Sequence, residues 1–129
     1  MHLDDQSLFP FWRAWGPAFL WAGVISYSSS IIITPGMYPA IPNGDKYFHM
    51  AEFFVYGCFV QRAALQRLWP KGWKGWACVL AIIAMTGVLD ELHQLFVPTR
   101  TCDVFDALAD TFGGAIGMMS FRFVLRRRR

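Results

Sequence analysis

The chain has 129 residues, of which 55% are hydrophobic and 16% are charged, and its formal net charge is +3. Soluble domains carry about 25% charged residues, whereas the mean hydropathy of this chain is +0.33. This composition argues against a water-soluble globular protein, and the length is about that of one domain. We therefore expect one all-α membrane domain over residues 1–129.

Four apolar segments predict four membrane-spanning helices. About 20 residues at 1.5 Å each cross the ~30 Å hydrocarbon layer, and lipid requires backbone groups to pair within a segment. In chain order the segments are roughly residues 14–33, 47–65, 76–97 and 103–125. The connections are short, which favours an antiparallel four-helix bundle.

The N-terminus does not resemble a cleaved signal peptide. It carries Asp4 and Asp5 where a signal peptide has a basic region, and no small-residue cleavage site follows a short apolar stretch. We expect the first apolar segment to be retained.

Lys and Arg residues predict the orientation of the bundle. Most lie near the end of the second or the fourth segment or just after it: Arg62, Arg67, Lys71, Lys74, Arg122 and Arg126 to Arg129. Four spans put both groups on one side, so we expect both termini and the middle loop in the cytoplasm, with Trp69, Trp73 and Trp76 at the inner interface. The Arg run follows an apolar helix, so it predicts a membrane-surface anchor and no nucleic-acid partner.

Most of the other charged and strongly polar residues in or next to the predicted helices fall at the end that faces away from the cytoplasm. They are Asp45, Lys46, His49, Glu52, Asp90, Glu91, His93, Gln94, Arg100, Asp103, Asp106 and Asp110. At 1.5 Å per residue, Glu52, Glu91 and Asp110 each lie roughly 9–10 Å below the outer boundary. We therefore expect these three carboxylates to converge on one level.

The spacing of these residues places most of them on coherent helical faces. The spacings are i, i+4, i+7 for Asp45, His49 and Glu52; i, i+3 for Glu91 and Gln94; and i, i+3, i+7 for Asp103, Asp106 and Asp110. Asp90 and His93 face elsewhere on the third helix, so we expect them to point at solvent or lipid headgroups.

Some of these residues have simpler explanations. Asp103 and Asp106 are also explained as first-turn acids that favour the helix dipole, and His49 as an interfacial side chain. An ionised residue at mid-helix costs roughly 2.5–3.5 kcal/mol, so Glu52 and Asp110 are the hardest to explain without a function.

Small residues near the acids suggest how the helices pack. Gly113 and Gly117 have a small-xxx-small spacing, which predicts close contact of the fourth helix with the second or third. The hydroxyls of Ser26 to Ser30 either line the same cavity or bond to their own backbone.

The polar set offers both anion binding and proton transfer. Lys46 and Arg100 could clamp a phosphate, and the buried acids with His49 supply a general acid and base. The candidate catalytic residues are His49, Glu52, Glu91, Asp106 and Asp110. The candidate substrate-binding residues are Asp45, Lys46, Gln94, Arg100 and Asp103.

Cofactor chemistry is left open by the sequence. The same carboxylates with His49 could hold a divalent cation through oxygen ligands, but HExxH and CxxC spacings are absent and the three cysteines suggest no zinc site. We assign no metal ligand and name no cofactor.

Two stretches carry a family resemblance: "GDKYFHMAEFFVYG", residues 44–57, and "DELHQLFVPTRTCDVFDALADTFGGAIG", residues 90–117. Together they resemble the VanZ-like family. The residues that match its pattern are Asp45, Lys46, His49, Glu52, Glu91, Gln94, Arg100, Asp103 or Asp106, Asp110 and Gly114. The resemblance implies a small multi-pass protein of the bacterial inner membrane, in a family whose founding member is linked to teicoplanin resistance.

Our leading hypothesis is a membrane protein with an outward-facing polar pocket that binds or modifies an anionic envelope lipid or lipid-linked precursor. Membrane lipids are the expected partners. An enzyme of this kind would be a lipid-phosphate or lipid-linked sugar hydrolase or transferase, and a non-catalytic binder remains open. The alternative is a structural or partner-binding protein whose charged cluster locks the bundle. Ion passage is disfavoured because the polar residues stop at one end.

Overall fold

The computed structural model describes residues 5–32, 44–65 and 69–127, and α-helix is the only regular secondary structure within them. The helices are α1 (Asp5–Ser29), α2 (Gly44–Ala64), α3 (Gly72–Gln94) and α4 (Val104–Arg127), with no strand in these ranges. The predicted all-α class is therefore confirmed. Parts of the prediction lie outside the described residues: Ile33, most of the first connection, Arg67, Arg128 and Arg129.

The helix ends differ from the predicted segments for local reasons. α3 ends at Gln94 instead of Val97, because Pro98 disfavours helical backbone at the residue before it. α4 begins at Val104, because the Asp103 side chain accepts a hydrogen bond from the backbone N–H of Phe105 at 2.8 Å and so caps the helix.

Judged by length and composition, α3 is the only one of the described helices that is long and apolar enough to cross a membrane. Only 33% of its most apolar stretch is buried inside the protein, so most of that stretch faces outward. α2 includes Asp45, Lys46, Glu52 and Arg62, and these charges lower its apolar character. The prediction of four spanning helices is thus supported here by one helix.

The closest helix pair is α2 and α4, which pack through glycines. A Cβ added at Gly113 would collide with the backbone of Met50, and one added at Gly117 would collide with the carbonyl of Phe54. Only glycine allows the two backbones to approach this closely. The small-xxx-small spacing therefore mediates helix contact, and the partner is α2.

The apolar core lies between α1, α2 and α3. Ile25, Phe53, Val60, Val79 and Ile83 are all almost fully buried in it. α1 and α4 each pack against α2 and α3, and α4 adds the buried Met118 to the same core.

Side-chain contacts bring the last turns of α1 and α3 beside the first turns of α2 and α4. Ser28 of α1 donates to Glu52 of α2 at 2.7 Å, and Glu91 of α3 accepts from the backbone N–H of Asp103, next to α4, at 2.7 Å. The functional residues predicted from the sequence lie at this end.

Candidate functional site

Four buried side chains from three helices form the centre of the site, which we call the buried cluster: His49 of α2, Asp90 and Glu91 of α3, and Asp110 of α4. One potential ligand atom from each lies within 4.8 Å of all the others. Their exposed fractions are 4%, 5%, 3% and 0%. Ionisable side chains are almost never this buried unless they are paired, so the arrangement calls for a physical explanation.

Each carboxylate of the buried cluster is held through one oxygen. Asp110 Oδ1 lies 3.0 Å from His49 Nδ1. Asp90 Oδ2 accepts from the Ser29 hydroxyl at 2.7 Å and from the Gln94 amide at 3.2 Å. Glu91 Oε2 accepts from the backbone N–H of Asp103. These bonds fix the direction of all three carboxylates.

The backbone of α3 also makes room for the site. A Cβ added at Gly87 would lie 3.0 Å from Cβ of Asp110, which is tighter than an ordinary side-chain contact. Glycine at this position therefore lets Asp110 lie directly against α3, one turn before Asp90 and Glu91.

An ion-pair network lies beside the buried cluster and joins α2 to α4. Lys46 Nζ donates to Asp106 Oδ1 at 2.6 Å and to Asp103 Oδ2 at 3.0 Å, while Asp45 is exposed and 3.7 Å away. The hydrogen bond to Asp106 raises the pKa of Lys46, against the opposing effect of desolvation. The Phe105 N–H and the Lys46 ammonium hold the pKa of the Asp103 carboxyl below its ordinary range.

Glu52 faces α1 and not the middle of the buried cluster. It is half-buried, its Oε1 accepts from Ser28, and its backbone carbonyl accepts from the Trp21 indole at 2.9 Å. The carbonyl of Ser28 in turn lies 3.4 Å from Arg100 Nη2, so Glu52, Ser28 and Arg100 form a second polar group along the end of α1.

The structure brings most of the predicted site residues to one end of the molecule, but they differ in burial and in their hydrogen-bond partners. Gln94, expected to bind substrate, is almost fully buried and contacts Asp90. Asp103 caps α4 and also pairs with Lys46, so the helix-start explanation and the site explanation both hold for it. Asp106 points to Lys46.

The expectation that Asp90 points at solvent or headgroups is wrong. Asp90 is buried because Ser29 and Gln94 supply donors to it inside the bundle. The i, i+4 spacing of Asp90 and Gln94 was the available signal. His93 is exposed as expected, with its Nε2 2.9 Å from the Ser30 hydroxyl.

The serine run of α1 takes both of the roles left open by the sequence. Ser30 Oγ donates to the Ser26 carbonyl, as a self-bonded helix serine does. Ser28 Oγ lies within hydrogen-bond distance of both the Ile25 carbonyl of α1 and Glu52 of α2, and Ser29 donates to Asp90 of α3. The last turn of α1 therefore supplies neutral donors to two carboxylates.

Comparison with known protein families gives a match over nearly the whole chain. A family model described as VanZ/LLP1 matches residues 4–125. The chain belongs to the VanZ/LLP1 family. The resemblance drawn from the sequence is thereby confirmed, over nearly the whole chain. No curated protein and no solved structure matches this VanZ/LLP1 chain.

Proposed function

We propose that this VanZ/LLP1 protein is a multi-pass protein of the bacterial cytoplasmic membrane that binds, or binds and modifies, an anionic envelope lipid or lipid-linked precursor. The observation that carries the proposal is the gathering of buried polar side chains from three helices at the end of the bundle where Arg100 also lies. Both termini lie in the cytoplasm in this proposal, and the polar end faces outward.

Apolar exposure supports the membrane location. Large hydrophobic side chains face outward on several elements, including Phe96 at 85%, Leu20 at 75% and Val104 at 72% exposed. Soluble monomers rarely expose contiguous apolar surface on this scale. Lipid chains are the surroundings in which these side chains, together with α3, are stable.

Arg100 is the cation best suited to bind the phosphate of the headgroup. Its Nε is buried and has no hydrogen-bond partner within the described part of the chain, and its Nη2 makes one long bond. Lys46 is already hydrogen-bonded to two carboxylates. A guanidinium presents several donors in a plane that matches a phosphate, so we assign anion binding to Arg100 and a supporting position to Lys46.

In the catalytic form of the proposal, His49 and Glu91 transfer protons, and Glu52, Asp106 and Asp110 adjust their charge. His49 already contacts Asp110 at 3.0 Å, which is the geometry of a base oriented by a carboxylate. Asp45 and Gln94 lie at the same end of the bundle, on α2 and α3. Hydrolysis or transfer at a lipid-linked phosphate is the corresponding reaction class.

The test is mass spectrometry of the lipids that co-purify with wild type and with Arg100→Ala. We expect wild type to retain a phosphate-bearing lipid, and Arg100→Ala to retain about tenfold less, which is the effect of losing one charge-assisted hydrogen bond. Arg13→Ala is the matched control, because Arg13 is exposed in the first half of α1. Identical lipid profiles in wild type and Arg100→Ala would contradict the proposal.

Turnover separates the enzyme from the binder. Wild type that converts a bound lipid-linked phosphate, with Glu91→Gln inactive but folded, supports catalysis. Retention of lipid without any product supports binding alone.

A structural role is the alternative, and the Lys46 network favours it. Lys46 joins α2 to Asp106 of α4, and Asp103 joins α4 to Glu91 of α3. If these contacts only lock the helices together, substitutions in them lower thermal stability and leave the co-purifying lipid unchanged.

A further inference from the structure

The buried cluster has an excess of negative charge that the described side chains do not neutralise. Three carboxylates face one imidazole, so negative charge exceeds positive even with His49 protonated. The nearest ammonium group is committed elsewhere, since Lys46 pairs with Asp103 and Asp106. Buried charge without a partner is strongly unfavourable, so the cluster needs either protons on its carboxyls or a bound cation.

One oxygen of each carboxylate in the buried cluster has no hydrogen-bond partner among the described residues. Within the described part of the chain, Asp90 Oδ1, Glu91 Oε1 and Asp110 Oδ2 have no hydrogen-bond partner, although their side chains are more than nine-tenths buried. The other oxygen of each is held by Ser29 and Gln94, by the Asp103 N–H or by His49. Carboxylates oriented through one oxygen, with the other left open, are typical of metal ligands.

We propose that His49, Asp90, Glu91 and Asp110 form a binding site for one divalent cation, and that Mn²⁺ is the ion that fits it best. This inference goes beyond lipid binding and does not rest on it, because the ion binds with no lipid present. If lipid binds as well, the cation lies between the acids and the phosphate and removes their mutual repulsion, and His49 and Glu91 then act as ligands of the ion and not in proton transfer.

The spacing of the four groups agrees with one ion. Ligand bonds of about 2.2 Å put neighbouring ligand atoms about 3 Å apart and opposite ones about 4.4 Å apart. The ligand atoms that the four side chains offer all lie within 4.8 Å of one another. Closing the set around an ion therefore needs side-chain movements of only a few tenths of an ångström.

The mixture of ligands selects the ion. Carboxylates suit Mg²⁺, Ca²⁺ and Mn²⁺, whereas imidazole suits the transition metals. Mg²⁺ keeps most of its waters, and Ca²⁺ takes oxygen ligands alone. Three carboxylates with one imidazole match Mn²⁺, which accepts both ligand types.

The experiment is Mn²⁺ titration of the full chain in detergent after EDTA treatment, with free Mn²⁺ followed by electron paramagnetic resonance. We expect wild type to bind one ion per chain, and Asp110→Asn and Asp90→Asn each to bind at least tenfold more weakly. His93→Gln is the matched control: its imidazole is on the same helix as Asp90 and Glu91 but is exposed, so the affinity of this variant for Mn²⁺ should equal that of wild type.

Two results would overturn the site: no Mn²⁺ bound by wild type at about 1 mM, or wild-type affinity in both Asp110→Asn and Asp90→Asn. Circular dichroism checks that each variant remains helical, and Glu91→Gln replaces either one that does not fold. If wild type binds no Mn²⁺ but retains a phosphate-bearing lipid, the ion is rejected and the lipid proposal stands. If wild type binds Mn²⁺ but retains no such lipid, the lipid proposal is rejected and the ion site stands.

Discussion

Asp103 contacts three helices through separate atoms. Its backbone N–H donates to Glu91 of α3, its Oδ1 caps α4, and its Oδ2 accepts from Lys46 of α2. The pKa of Asp103 is lowered, whereas that of Lys46 is raised, so both are ionised at neutral pH and the pair is fully formed there.

This pair gives a defined acid dependence of stability. A carboxyl whose pKa is lowered by folding contributes stability above its ordinary pKa of 3.8, and this contribution is lost as the pH falls through the lowered value. Asn still caps a helix, so Asp103→Asn removes mainly the charge. We expect wild type in detergent to melt several degrees above Asp103→Asn at pH 7, and the difference to shrink below about pH 4.

Thermal melting of the two proteins from pH 3 to 8 checks this prediction. Two melting curves that stay parallel across the whole range would show that Asp103 contributes no charge-dependent stability.

At the residue scale, the sequence predicted the burial of some site residues but not the hydrogen-bond partners of others. The spacing of His49 and Asp110 placed both on inward faces, and both are buried. For the burial of Asp90 the sequence offered only the spacing of Gln94 on the same helix, because the second donor, Ser29, comes from α1 and its position depends on the packing of the helices. The pairing of Lys46 was likewise hidden, since its partners lie 57 and 60 residues away in the chain.

At the scale of elements, the packing of α4 on α2 depends on the absence of side chains. Gly117→Ala would place a methyl group against the carbonyl of Phe54 and force α4 outward. Overpacking of this kind typically costs about 1–3 kcal/mol. We expect a lower free energy of unfolding and weaker Mn²⁺ binding, because Asp110 moves with α4.

Gly23→Ala is the control for this substitution. Nothing lies within 4 Å of a Cβ added at Gly23, so Ala there should be neutral or stabilise the helix by about 0.5–1 kcal/mol. Denaturant titration in micelles compares the two. Equal stability of Gly117→Ala and Gly23→Ala would show that the α2–α4 backbone contact is not tight.

The existence of the four helices was predictable, since each contains a long apolar stretch. Their ends depend on single residues, Pro98 and Asp103, which end α3 and start α4. The glycine spacing predicted that α4 packs closely against another helix. It did not show whether that helix is α2 or α3, because distances between helices cannot be read from the sequence.

For the whole molecule, the central prediction concerns orientation in the membrane. Cys102 is an exposed thiol in the connection between α3 and α4, at the polar end. If this end faces outward, a membrane-impermeant maleimide labels Cys102 in intact cells of a Cys58→Ala, Cys78→Ala background. Lys71→Cys in a background without Cys102 should be labelled only after the cells are permeabilised.

The reversed pattern, with Lys71→Cys labelled in intact cells and Cys102 protected, would invert the bundle and place the polar end in the cytoplasm. Outward lipids would then be excluded as ligands, whereas the cation site would be unaffected.

If the buried acids are kept because a ligand needs them, they lower the stability of the fold when no ligand is bound. Glu91→Gln tests this most directly, because an amide oxygen can still accept the Asp103 N–H while one repelling charge is removed. The measurement is the free energy of unfolding in detergent with EDTA. We predict that Glu91→Gln is at least as stable as wild type; a loss of more than about 2 kcal/mol, as expected when a buried charge pair is broken, would contradict it.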